Sequence, residues 1–175
     1  AYFKGDKQKQ KRQEDVIEGY DYKLYDTDSD NYKKLFYELK DILTSSTVNE
    51  EEYVKVISKM FVMDFYTLKN KISNNDIGGC DFVYSEVLDN FKDKAKDTVY
   101  LYLETYLQEN KDLPVVDEVI VESVNTTKYM YLDTMDENCY EVKVTIEYEK
   151  DLGYDTEKTL YFVHEGNKLS LVEIA

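Results

Sequence analysis

The sequence predicts an α+β domain, with N-terminal helices packed on one face of an antiparallel sheet. Three observations predict it. Apolar residues recur every three or four positions through residues 28–109, as in helices with one buried stripe. From residue 116 to 174 the period changes to two, as in half-buried strands. A polar break, Asn70-Lys71-Ile72-Ser73-Asn74-Asn75-Asp76-Ile77-Gly78-Gly79-Cys80, divides the helical half.

The elements follow in order. Residues 1–21 read as a charged tail or juxtamembrane stalk ahead of a single domain at 22–175. Lys4, Lys7, Lys9, Lys11 and Arg12 stand there against Asp6. Apolar periodicity is weak, so residues 1–20 are expected to add almost nothing to stability. The chain opens Ala1-Tyr2-Phe3 without Met. Tyr2 and Phe3 would suit the headgroup level beside a removed anchor, a frayed or helical terminus being the alternative.

Asp26-Thr27-Asp28-Ser29-Asp30 offers N-caps for a first helix striped by Tyr32, Leu35, Phe36, Leu39 and Ile42. Thr47-Val48-Asn49-Glu50 is a capping-box signature for a second. Its stripe is Tyr53, Val54, Ile57, Met60, Phe61 and Phe65, widened by Val56 and Leu68. So wide a stripe predicts burial on more than one side. A third helix is expected from Cys80-Asp81-Phe82, its face marked by Tyr84, Val87, Leu88, Phe91 and Ala95. Residues 96–109 fit helix through Val99, Leu103, Tyr106 and Leu107, although strand also fits.

After Leu113-Pro114 come the strands. Glu118–Val124 and Lys128–Asp133 read as two of them. Residues 140–149 form a third, with Tyr140, Val142, Val144, Ile146 and Tyr148 alternating with polar neighbours. Thr159–His164 and Lys168–Ile174 follow, joined by the turn Glu165-Gly166-Asn167.

Composition narrows the function classes. The 175 residues are 42% hydrophobic, with 18 Tyr, 7 Phe and no Trp, so the core is aromatic and β-branched. One Pro and six Gly are too few for a disordered chain. The net charge is −15, and the basic start means that the rest carries more than that total. An acidic body repels phosphate backbones, and Arg12 is the lone arginine, so no nucleic-acid partner is expected. No apolar run approaches the ~18 residues that span a bilayer.

Two stretches carry a family resemblance. One is Asp64-Phe65-Tyr66-Thr67-Leu68-Lys69-Asn70-Lys71, then Asn75-Asp76-Ile77-Gly78-Gly79, then Asp81-Phe82-Val83-Tyr84. The other is Asp151-Leu152-Gly153-Tyr154, Thr159-Leu160-Tyr161-Phe162-Val163, and Lys168-Leu169 to Val172-Glu173-Ile174. Together with the helices-then-sheet order, these resemble the nuclear transport factor two-like, cystatin-related cone fold. They are most similar to extracytoplasmic domains of membrane-tethered Gram-positive bacterial proteins. The resemblance spans roughly residues 28–175 and implies a curved, cone-shaped sheet and a place at the cell envelope. It implies no catalytic residues. Relatives in the broad superfamily include conjugation or secretion scaffolds, and also small-molecule isomerases, cyclases and dehydratases.

Reactive residues are few. His164 is the only histidine, which excludes a multi-imidazole metal site. It reads as a surface residue without an identifiable partner, a lone general base being the sharper alternative. Cys80 and Cys139 form no Cys-x-x-Cys motif and read as two free thiols, Cys139 exposed in the Asp136-Glu137-Asn138 turn. Asp26-Thr27-Asp28-Ser29-Asp30-Asn31 begins like a calcium loop, but Asn31 stands at the glycine position and Tyr37 at the bidentate glutamate position. It reads as capping. No glycine-rich phosphate loop, Gly-x-Ser-x-Gly elbow or HExxH motif occurs.

The sequence therefore assigns no catalytic, cofactor-binding or metal-ligating residue and no cofactor. The expected function is a non-catalytic interaction or scaffold module, extracytoplasmic and membrane-anchored, acting on a protein partner or a second copy of itself. The second option is a cone-fold enzyme or small-ligand binder that uses a cavity between helices and sheet.

Overall fold

A computed structural model describes residues 11–131 and 134–175, with the backbone alone at 131 and 134. The structure is α+β with antiparallel sheets. Two strands, β1 (Gln13–Ile17) and β2 (Tyr22–Tyr25), precede the helices. They pair antiparallel, Ile17 opposite Tyr22. This corrects the reading of residues 1–21 as tail. Ile17, Tyr22 and Leu24 are almost wholly buried, and Lys33 and Lys40 pair with Glu14 and Asp15 at 3.2 and 3.0 Å. The alternation Tyr22-Lys23-Leu24-Tyr25 carried the signal. Residues 1–10 of the expected stalk, with Tyr2 and Phe3, lie outside the described residues.

Helix α1 (Asp30–Thr44) starts at Ser29, whose Oγ accepts from the Tyr32 amide at 3.2 Å. Asp28 and Asp26 serve this turn, accepting from the amides of Tyr25 and Arg12. Helix α2 (Glu50–Tyr66) is capped by Asn49, which accepts from the Glu52 amide. Three glutamates in its first turn suit the positive helix end. Eleven of its 17 residues are buried, which makes it the inner helix. It packs on α1 and on the sheet.

The third helix begins later than its pattern suggested. Cys80–Phe82 and Ser85–Val87 are tight 3₁₀ turns, and α3 runs only over Leu88–Asp97. The Val83–Tyr84 link is extended, because the Tyr84 amide donates to Leu171 at 2.8 Å and pins it to the sheet. The ambiguous 96–109 stretch yields a short helix, α4 (Leu103–Gln108).

The sheet has the order β3-β4-β5-β6 and is antiparallel throughout. The expected strands 118–124 and 128–133 are one, β3 (Val116–Tyr131), since the change of register near Val121 and Thr127 is absorbed by bulges. Residues 132–133 lie outside the description. β4 (Thr134–Tyr148), β5 (Glu157–Glu165) and β6 (Lys168–Ile174) complete it. Val142, Val144, Ile146, Leu160, Phe162 and Leu171 form its inner face against α2. Cys139 belongs to β4 and is fully buried rather than exposed in a turn; both thiols are free.

The polar break is a joint. Lys71, 6% exposed, folds its ammonium back under α2. It donates to the carbonyls of Asp64 and Thr67 at 2.8 and 2.9 Å, and to Asp64 Oδ1 and Asn70 Oδ1 at 3.2 and 2.9 Å. Cationic donors suit the carbonyl end of a helix. Asp64 Oδ2 accepts from the Gly79 amide, and Tyr100 Oη donates to Phe65 O and accepts from the Gly78 amide. A Cβ at Gly78 would lie 2.2 Å from Asp64 O, and one at Gly79 2.5 Å from the Phe61 ring, so the joint closes only with glycine.

This packing sets three expected outcomes for stability. Ile17→Ala is expected to cost about 2–4 kcal/mol as a core truncation, and a chain starting at Tyr22 to melt well below the full one. Thermal unfolding by circular dichroism measures both, and a truncated chain melting like the parent would return β1 to the status of tail. Lys71→Met is expected to cost about 2–4 kcal/mol, since it strands buried carbonyls and Asp64.

Candidate functional site

His164 stands on β5, where β4, β5 and the start of α2 converge. It has partners on both sides. Nδ1 is 2.7 Å from Asp136 Oδ2, and Nε2 is 2.9 Å from Glu50 Oε1. The His164 amide also donates to Asp136 at 2.7 Å, and Tyr140 Oη donates to Glu50 Oε1 at 2.7 Å. This corrects the reading of His164 as a partnerless surface residue. Glu50 lies 114 positions away and Asp136 28, so no local motif links them. The strand register could have found Asp136: Tyr140 pairs with Phe162, which places residue 136 just beyond His164.

The electrostatics follow from the contacts. Partial burial pushes the His164 pKa down, but hydrogen bonds to Glu50 and Asp136 outweigh it and hold the pKa above the usual value. Burial raises both carboxylates, and hydrogen bonds from His164 and Tyr140, or from His164 and the Asn138 amide, bring them below their usual values. Tyr140 is pushed up to about 12, by burial and then by its bond to Glu50. The contacts thus favour the imidazolium form, held between two carboxylates. With both ring nitrogens engaged, no lone pair is presented to a substrate. The arrangement is a clamp between α2 and the β4–β5 sheet.

Other groups with sharp chemistry are absorbed by packing. Tyr22 and Tyr53 share a 2.6 Å hydrogen bond in the core, and Tyr53 Oη also accepts from the Leu169 amide. Glu165 accepts from Ser85 and Ser170, tying the second 3₁₀ turn to the β5–β6 hairpin. Burial raises Cys80 to about 11 and Cys139 to about 12, so neither is an activated nucleophile.

Two surface features stand apart from the clamp. A cleft of about 550 Å³ opens between α3 and β6. At the end of the domain formed by α4, Leu101, Tyr102 and Leu107 are 47, 58 and 38% exposed. Tyr102 stacks on Tyr106 at 6.1 Å. Ile72, 55% exposed, stands in the loop that the Asn74 amide fastens to Glu104.

No protein-family model, curated protein or solved structure matches this chain.

The clamp makes stability depend on pH in both directions. The His164 contribution is complete below the imidazole's usual pKa of about 6.5 and is lost as pH rises through its higher folded value. The Glu50 and Asp136 contributions are present above about pH 4.5 and are lost as pH falls through their depressed values. Stability from the clamp is therefore expected to peak between about pH 5 and 6.5. His164→Gln should cost roughly 1 kcal/mol in that window and flatten the alkaline side of the profile. Chemical denaturation at a series of pH values checks it, and an unchanged profile in the variant would refute the clamp.

Proposed function

We propose that this domain is a non-catalytic interaction module of a membrane-anchored bacterial protein, working outside the cytoplasm through protein contacts. One observation carries the contact reading: the apolar, aromatic group Leu101, Tyr102, Tyr106, Leu107 and Ile72 at the α4 end. Tyrosine and leucine side chains held on a surface this way favour a partner that removes them from water. Acids rim the group. Asp97, Glu104, Glu109 and Asp112 are exposed along the same stretch, where Lys111 pairs with Glu109 and covers the Tyr106 ring and Lys150 pairs with Asp112, so the acids still outnumber the lysines among them. The partner that fits is a protein with an apolar knob and a basic rim. The location outside the cytoplasm rests on the resemblance of the 64–84 and 151–174 segments. The clamped imidazole supports a role without turnover, because its ring nitrogens are both committed.

The test is a photo-crosslinking amino acid at Tyr102, compared with one at Asp41 on the exposed side of α1, in the intact source cell. A discrete protein adduct is expected from position 102 and not from 41, and it should weaken with added salt. Leu101→Ser with Leu107→Ser should abolish the adduct while the melting temperature stays within a few degrees. Equal labelling at both positions, or an adduct that survives the double variant, would overturn this reading.

A further inference from the structure

The cleft between α3 and β6 has the attributes of a small-molecule site, independently of the α4 surface. Its volume of about 550 Å³ lies in the range of ligand cavities. Phe65, Val87, Phe91, Leu171 and Ile174 give it apolar walls.

The polar groups are unequally satisfied. Both carboxylates in the lining are engaged: Asp155 holds Lys158 at 2.8 Å, and Glu173 accepts from Tyr129 Oη at 3.1 Å. Two donors are not. Lys94, in the last turn of α3, makes no ion pair with any described residue. Tyr66 is 3% exposed, yet its hydroxyl makes no hydrogen bond with any described residue. No fully enclosed side-chain oxygen or nitrogen lacks a partner among the described residues, so this hydroxyl opens on the cleft. Burial raises the Tyr66 pKa well above its usual value, so the hydroxyl keeps its proton and is available as a donor. The unfilled donors are thus the Tyr66 O–H and the Lys94 ammonium, together with the amide of the exposed Asn90, which also lines the cleft. The Tyr66 hydroxyl reaches solvent only through the cleft, and a ligand acceptor there would take the place of water as its partner.

We propose that the cleft binds a small amphipathic monocarboxylate, its aliphatic or aromatic body between α3 and β6 and its carboxylate at Tyr66 and Lys94. An amine of the same shape would meet carboxylates already engaged, with the Asn90 oxygen as its neutral acceptor, and would leave the Tyr66 hydroxyl and the Lys94 ammonium unused.

The experiment is calorimetric titration of the full chain with decanoate and with decylamine, each below its micelle concentration. Saturable one-to-one binding of decanoate is expected, with decylamine at least about tenfold weaker. Tyr66→Phe keeps the ring and removes only the unpartnered hydroxyl, so it should fold as the parent does. It should weaken decanoate about tenfold, as for loss of a hydrogen bond to a charged group. Lys94→Met keeps the stem and should weaken it about threefold. Decylamine binding as tightly as decanoate, no saturable binding of decanoate, or decanoate binding unchanged in the double variant would each overturn the proposal.

Discussion

The last turn of α2 is the constraint on which the rest of the structure depends. A helix buried on most of its surface has nowhere to hydrate its terminal carbonyls. Here the Lys71 ammonium and the Tyr100 hydroxyl collect those of Asp64, Phe65 and Thr67. Both groups belong to segments that follow α2 in the chain. The cap thus fixes where the chain turns, and Gly78 and Gly79 allow it to pass against Asp64 and Phe61. From there Val83 and Tyr84 reach β6, and α3 is set opposite the sheet with the cleft between them.

The opposite end of the same helix is tied by charge. Glu50 in its first turn meets His164 of β5 and Tyr140 of β4, so α2 is fixed to the sheet across its N-terminus. The ends differ physically. The C-terminal joint uses backbone acceptors met by an ammonium and a tyrosine hydroxyl, whereas the N-terminal clamp uses an imidazole held between two carboxylates. The α4 surface and the α3 cleft lie with elements that follow the Lys71 joint in the chain.

Much of the fold was legible in the sequence, because its period reports burial directly. The stripes of α1 and α2 and the alternation at 140–149 lead to the observed helices and to β4. The misses have local causes. In β3 the bulges break the alternation at Val121 and Thr127, so one strand reads as two. Around Cys80–Val87 apolar residues recur at helical spacing, yet the bond from Tyr84 to Leu171 holds the backbone extended between two turns. At Gln13–Ile17 charge hid the strand, since Glu14 and Asp15 pair with lysines of α1 that lie far along the chain. The clamp was least legible. His164 was visible, but its partners are fixed by tertiary contact, and a lone histidine carries no information about what stands beside it. The cleft was anticipated only as a space between helices and sheet; the unpartnered Tyr66 hydroxyl has no sequence signature.

The two cysteines turn this architecture into a pair of internal clocks. The Cys139 thiol is sealed beneath the sheet, while Cys80 stands half-covered beside the glycine joint, its thiol against Ile77 O. A thiol-alkylating reagent meets Cys139 only in molecules whose β4–β5 seam has parted, and Cys80 whenever the joint alone breathes. The two labelling rates therefore separate global opening from local opening within one unmodified chain.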